Sequence, residues 1–336
     1  MVTSRVGVLA ITVLAAPFGL AACSGGGDSS TQESSTQAGS TQASTAAGDC
    51  PVTPVDMVVS VDQWGDIVSA LGGACANVKT VLASSSVDPH DYEPSPADAV
   101  TFEGAQLVVI NGGHYDEWAA QLASTSAPNA PVVNALETTG VEDEHAHEDE
   151  HAHEDEHSDD VNPHVWYNPT AVNGVADAVT AELGNLAPDA ADYFDQRRTE
   201  FNATMQPYND LIAKLKTEAG GKRYAATESV FDDMAAAIGL VNVTPQGYQV
   251  SSSNETDPSP ADLDAFLTLL GDRGADVLIY NTQTEGSVPE QIRSAAEQAG
   301  VPVVDVTETV PPGADSFETW QVNQLDALAK ALGVAV

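Results

Sequence analysis

Two short stretches of the chain place a histidine directly behind a proline. One reads Asp88-Pro89-His90-Asp91-Tyr92-Glu93-Pro94-Ser95-Pro96-Ala97-Asp98, the other Asn162-Pro163-His164-Val165-Trp166-Tyr167-Asn168-Pro169. Proline holds its φ near about −65°, so each histidine sits on a stiffened turn at the start of a helical region. The stretch at His90 also follows a strand-like run, and open α/β sheets bind ligands beyond the carboxyl ends of their strands. Imidazole is the commonest side-chain ligand for metal ions. A single histidine is more often an ordinary loop or core residue, but two Pro-His turns in one chain favour coordination.

Between these turns lies a third histidine-bearing feature. Residues 142–160 contain His145-Ala146-His147-Glu148-Asp149-Glu150, its repeat His151-Ala152-His153-Glu154-Asp155-Glu156, and then His157. The segment is acidic and has no side chain suited to a core, so a disordered surface loop is expected. It reads either as a weak multi-site metal collector or as a solvated acidic insertion.

On the two Pro-His motifs the chain resembles the zinc- and manganese-binding solute-binding proteins that feed ABC importers. That family carries Asp-Pro-His-x-Tyr-x-Pro and Asp-Pro-His-x-Trp, and here Asn162 replaces the second Asp. The resemblance runs from about Val55 onward. It implies a metal held between two lobes, with His90 and His164 as ligands from the first lobe. The second lobe of the family supplies a His or Glu after its first strand. Glu228, in Tyr224-Ala225-Ala226-Thr227-Glu228-Ser229, matches that place; otherwise it is a helix-start carboxylate favoured by the dipole. The fourth ligand, usually Asp, follows a later strand, where Glu285 is the nearest carboxylate, or else a solvated loop residue. His114 matches no ligand position of the family and reads as a loop residue.

Two imidazoles and two carboxylates suit Zn2+, Mn2+ or ferrous iron. The histidine-rich loop tilts the reading toward Zn2+, and a Glu in the third position toward Mn2+. The resemblance implies an ABC permease as partner and a monomeric, non-enzymatic carrier. A metallohydrolase would need an activating base near the metal, and no HExxH-type spacing is present. A surface adhesin is compatible with the acidic chain, but no feature identifies its partner.

These residues must be positioned by a scaffold. Strand-like runs occur at 55–61, 78–83, 107–111, 132–133, 223–226, 241–244, 277–280 and 303–306. Helical spacing alternates with them at 63–71, 96–102, 115–122, 230–238, 262–270, 288–299 and 317–332. The alternation predicts an α/β fold: two lobes, each a parallel sheet flanked by helices. Val172, Val175, Val179 and Leu183 recur at helical spacing before Pro188 restarts the chain. Phe194, Phe201, Met205, Tyr208, Ile212 and Leu215 then mark a long helix joining the lobes, which Pro207 should kink. The expected boundaries are a signal peptide at 1–22, a tether at 23–49, lobes at 50–169 and 220–336, and linking helices at 170–219.

The apolar run from Val6 to Leu20 is too short and broken for a membrane span and reads as a signal-peptide core. It ends in Leu20-Ala21-Ala22-Cys23, which resembles a bacterial lipoprotein signal and implies cleavage before Cys23 and lipidation of its thiol. The following tract of Gly, Ser, Thr, Gln and Ala would span roughly 25–30 Å as a flexible coil. The expected location is therefore the outer face of the cell membrane, anchored to the bilayer through Cys23. If Cys23 takes the lipid, Cys50 and Cys75 remain as a disulfide or as two buried thiols. Eleven basic against 50 acidic residues give a formal net charge of −39, which argues against binding nucleic acid or anionic lipid by charge.

Overall fold

The computed structural model describes residues 50–83, 92–139, 161–254, 256–284 and 286–336, all within one compact unit, Thr45–Val336. His90, Glu285, Cys23 and the histidines at 145, 147, 151, 153 and 157 lie outside the described residues. The β-branched runs form strands because their side chains pack on pleated surfaces covered from both sides. In the first half these are β1 (Val55–Val61), β2 (Ala76–Leu82), β3 (Leu107–Ile110) and β4 (Val132–Asn134). The second half supplies β5 (Arg223–Ala226), β6 (Val241–Asn242), β7 (Val277–Asn281) and β8 (Val303–Val306).

All pairings are parallel, and the two sheets have matching orders, β2-β1-β3-β4 and β6-β5-β7-β8. Each sheet therefore has a switch point beside its first strand, where consecutive connections leave in opposite directions. The carboxyl ends there open a crevice that suits a ligand. The crossovers carry α1 (Asp62–Gly72), α2 (Pro96–Phe102) and α3 (Glu117–Ser126) in the first lobe. In the second they carry α7 (Asp232–Ile238), α8 (Gln246–Ser253), α9 (Pro260–Gly271) and α10 (Ser287–Ala299), and α11 (Phe317–Ala331) closes the chain.

Between the sheets run α4 (Pro169–Leu186), α5 (Ala191–Thr204) and α6 (Gln206–Ala219). The apolar stripe expected of one long helix is indeed a buried face, with Phe194, Phe201, Met205, Tyr208 and Leu215 all inside. It is divided at Met205, however. Pro207 has no N–H for a main-chain bond back to Ala203, so α5 stops there and Pro207 sits in the first turn of α6. Helix α8 was not expected, because Gly247 and three serines dilute its periodicity, and β6 is two residues shorter than the apolar run predicts.

Alternation along the strands separates three cores. Val58, Val108 and Ile110 face outward onto α2 and α3, while Ala225 and Leu278 face Phe266, Leu270 and Ile292 of α9 and α10. The inward faces of both sheets join one continuous apolar cluster through α4 to α6, Trp166, Tyr167, Phe231 and Trp320. Each fully buried large side chain there contributes about 1.5–3 kcal/mol. Both lobes thus bury apolar side chains in the same core.

Cys50 and Cys75 form a disulfide, with Cα atoms 5.0 Å apart. Val55 pairs with Ala76, so the parallel pairing of β1 and β2 brings the segments before them together. The bond closes a 25-residue separation, which in a chain-entropy account stabilises the fold by about 3.5 kcal/mol. The double variant Cys50→Ser/Cys75→Ser is thus expected to unfold at a clearly lower denaturant concentration than wild type. An unchanged midpoint would show that the bond contributes nothing.

Candidate metal centre

The segment carrying His164 is fixed on both sides. Upstream, Asn111 follows β3 and donates through Nδ2 to the Pro163 carbonyl at 2.8 Å, while its Oδ1 accepts from Trp64 Nε1 at 3.0 Å. The fully buried Asp116 accepts the backbone N–H groups of Asn111 and Gly112 at 2.7 and 2.8 Å. Gly112 has φ of 90°, and a Cβ there would fall 1.9 Å from Asn134 Oδ1, so the turn requires glycine. Downstream, Asn168 caps α4 by accepting from the N–H groups of Thr170 and Ala171, with Pro169 beginning the helix.

His164 is consequently buried at 5% exposure and meets Trp166 at 5.2 Å and Tyr115 at 6.1 Å, both in edge-on, T-shaped pairs. Its Nδ1 lies 2.7 Å from Asn162 Oδ1, and its Nε2 points across the lobes to Glu308 Oε2 at 3.8 Å.

In the second lobe two carboxylates share one amide. Glu228 stands two residues beyond Ala226, the end of β5, and Glu308 two residues beyond Val306, the end of β8. Asn281, the last residue of β7, donates through Nδ2 to Glu228 Oε2 and to Glu308 Oε1, the latter at 2.7 Å. Gln283 Oε1 accepts the N–H groups of Glu308 and Thr309 at 2.7 and 3.0 Å and so holds the β8 loop. The Tyr167 hydroxyl donates to the Thr307 carbonyl at 2.7 Å, tying the His164 segment to that same loop.

Burial pushes the Glu228 carboxyl above its ordinary range, and the neighbouring charge of Glu308 adds to the effect. Asp232 and Asp233, at the start of α7, are also raised by burial. Concentrated acidity beside an imidazole suits a cation with mixed nitrogen and oxygen ligands. The structure thus brings His164 and Glu228 together and adds Glu308, which sequence reasoning missed. Its signal was available: Glu308 has the same offset from its strand as Glu228 has from β5. His114 is exposed and pairs with Glu117 at 2.9 Å. Among the described residues, no three His, Cys, Asp or Glu side chains are gathered closely enough to hold an ion by themselves.

These buried acids set a pH dependence. Asp62 and Asp116 are pushed by burial from 3.8 up to about 6, and Glu228 is raised from 4.5. The folded state therefore holds more protons than the unfolded chain, and the contribution of these groups to stability is fully present below about pH 4. For Asp62 and Asp116 it is lost as pH rises through about 6, for Asp116 at a cost on the order of 3 kcal/mol. Metal-free protein should accordingly unfold at lower denaturant concentration at pH 7 than at pH 5, and Asp62→Asn should reduce the difference. A midpoint that climbs over this interval would contradict the assignment.

The family model described as zinc-uptake complex component A, periplasmic (ZnuA), matches residues 57–331. The high-affinity zinc uptake system protein ZnuA of Bacillus subtilis is 30% identical over 217 residues, covering 64% of this chain and 67% of that protein. The zinc-binding lipoprotein AdcA of Streptococcus pneumoniae is 23% identical over 78% of this chain, and the match spans about half, 53%, of its length. The manganese-binding lipoprotein MntA of Halalkalibacterium halodurans is 26% identical, covering 82% of this chain and 88% of that protein. The fold is shared with a periplasmic metal-binding protein of Candidatus Liberibacter asiaticus, in its metal-free S38A form. Its TM-score is 0.66 at 15% identity, over 83% of this chain and 99% of that one. With the two parallel sheets and the family match over residues 57–331, the chain belongs to the ZnuA family of metal-binding, transport-associated solute-binding proteins.

Proposed function

We propose that this protein captures a divalent transition metal outside the cytoplasm, Zn2+ foremost, and delivers it to an ABC importer. The observation that carries the reading is His164 Nε2 lying 3.8 Å from Glu308 across the two lobes, with Glu228 tied to Glu308 through Asn281. His90, Glu228 and His164 are three of the proposed ligands. Glu285, the carboxylate first expected in fourth place, lies outside the described residues, and Glu308 is proposed for that role.

The zinc reading draws on the names of the zinc-binding relatives and on the five histidines of residues 142–160, proposed as a collector that raises ion concentration near the cleft. The manganese-binding relative, which matches along 88% of its length, and the two carboxylates favour Mn2+ as a second cargo. The signal peptide, tether and lobe boundaries at 22, 49, 169 and 219 are proposed as drawn from the sequence, with Cys23 as the lipid anchor and the protein acting as a monomer. Among the described residues no helix is long and apolar enough to cross a membrane.

Competitive titration with a chromophoric chelator tests the ligand set. Deleting residues 142–160 should leave one tight Zn2+ site. In that background His164→Ala, His90→Ala, Glu228→Gln and Glu308→Gln should each weaken it more than roughly 100-fold, beyond the range that outer hydrogen-bond partners of metal ligands reach. Undiminished affinity in His164→Ala, or loss of the tight site with the loop alone, would overturn the reading.

A further inference from the structure

We propose that Asn162 is a positioning residue that sets the proton on His164 and ties the ligand loops of the two lobes together. The proposal rests on His164 and Glu228 being metal ligands and concerns how they are held. It starts from an amide whose orientation two backbone groups determine. The His164 backbone N–H can only donate, and it lies 3.2 Å from Asn162 Oδ1. The Ser229 carbonyl can only accept, and it lies 2.9 Å from Asn162 Nδ2. Oxygen therefore faces His164 and nitrogen faces Ser229.

The same oxygen lies 2.7 Å from His164 Nδ1. A carboxamide oxygen only accepts, so Nδ1 carries a proton. In the neutral ring Nε2 then holds the lone pair, and Nε2 is the atom that points toward Glu308 at 3.8 Å. The imidazole is thus set in its metal-ligating tautomer before any ion arrives.

The other end of the amide reaches the opposite lobe. Ser229 directly follows Glu228 and opens the short turn Ser229–Phe231. One side chain in the first lobe therefore orients one ligand and restrains the backbone beside a second. An aspartate at this position could accept from His164 but could donate nothing to Ser229. It would also set a carboxylate oxygen against a carbonyl oxygen and add charge near the Glu228 and Glu308 pair. The departure from the Asp-Pro-His-x-Trp pattern thus has a structural consequence: a neutral amide replaces a carboxylate and adds a bridge between the lobes.

Nitrogen-15 spectra of metal-free, full-length mature protein read the tautomer directly, with the His164 ring assigned by comparison with His164→Gln. Wild type should show Nδ1 protonated and Nε2 bare. Asn162→Asp should keep that tautomer but speed hydrogen exchange at residues 229–231 by about fivefold to tenfold, as expected for the loss of one net hydrogen bond. Asn162→Ala should mix the tautomers, and by chelator competition it should bind Zn2+ about 10–100-fold more weakly. A wild-type ring protonated at Nε2, or unchanged exchange at 229–231 in Asn162→Asp, would overturn the proposal; the first needs no variant to fold. His164→Ala separates the two readings, because wild-type Zn2+ affinity there would reject the ligand assignment while the tautomer and exchange data still judge the role of Asn162.

Discussion

Two carboxylates, Glu228 and Glu308, are held against one amide nitrogen in a largely buried cleft. Burial disfavours their charged forms and like charges there repel, so burial first and Glu308 second push the Glu228 carboxyl upward. A divalent ion would relieve that repulsion with greater electrostatic gain than a proton. The rest of the structure holds this costly pair in place and aims His164 at it.

The holding follows from the strand order. Each sheet has its switch point at its first strand, and Glu228 and Asn281 lie at that point of the second sheet. Glu308 comes from the strand beyond. The first sheet uses its own switch point differently: Asn111, after β3, grips the segment that carries His164. Tyr167 and Asn162 then bond that segment to the two carboxylate loops. A continuous apolar core beneath these contacts resists their separation. His164, Glu228 and Glu308 therefore lie between lobes that already share packing.

Much of this was legible from residue types. The apolar runs at 107–110 and 277–280 lie in β3 and β7, because strands buried on both faces read as short unbroken apolar runs. His164 stood out because Pro163 precedes it. Other features were hidden for physical reasons. Helix α8 has one buried large residue, Tyr248, so its periodicity is faint. Glu308 lies in Thr307-Glu308-Thr309, where nothing local distinguishes a cleft carboxylate from a solvated one. Only the pairing of β8 beside β7 gives it Asn281 and a place near Glu228. Asn162 read as a departure from a motif, and its meaning depended on Ser229, 67 residues away in the chain.

The position of the bound ion decides which side chains are ligands. Crystals of the protein loaded with one equivalent of Zn2+, with anomalous differences measured on both sides of the zinc edge, would locate it. The expected result is one strong peak about 2.0–2.2 Å from His164 Nε2 and from carboxylate oxygens of Glu228 and Glu308. A single peak elsewhere, with these three side chains outside coordinating distance, would contradict it.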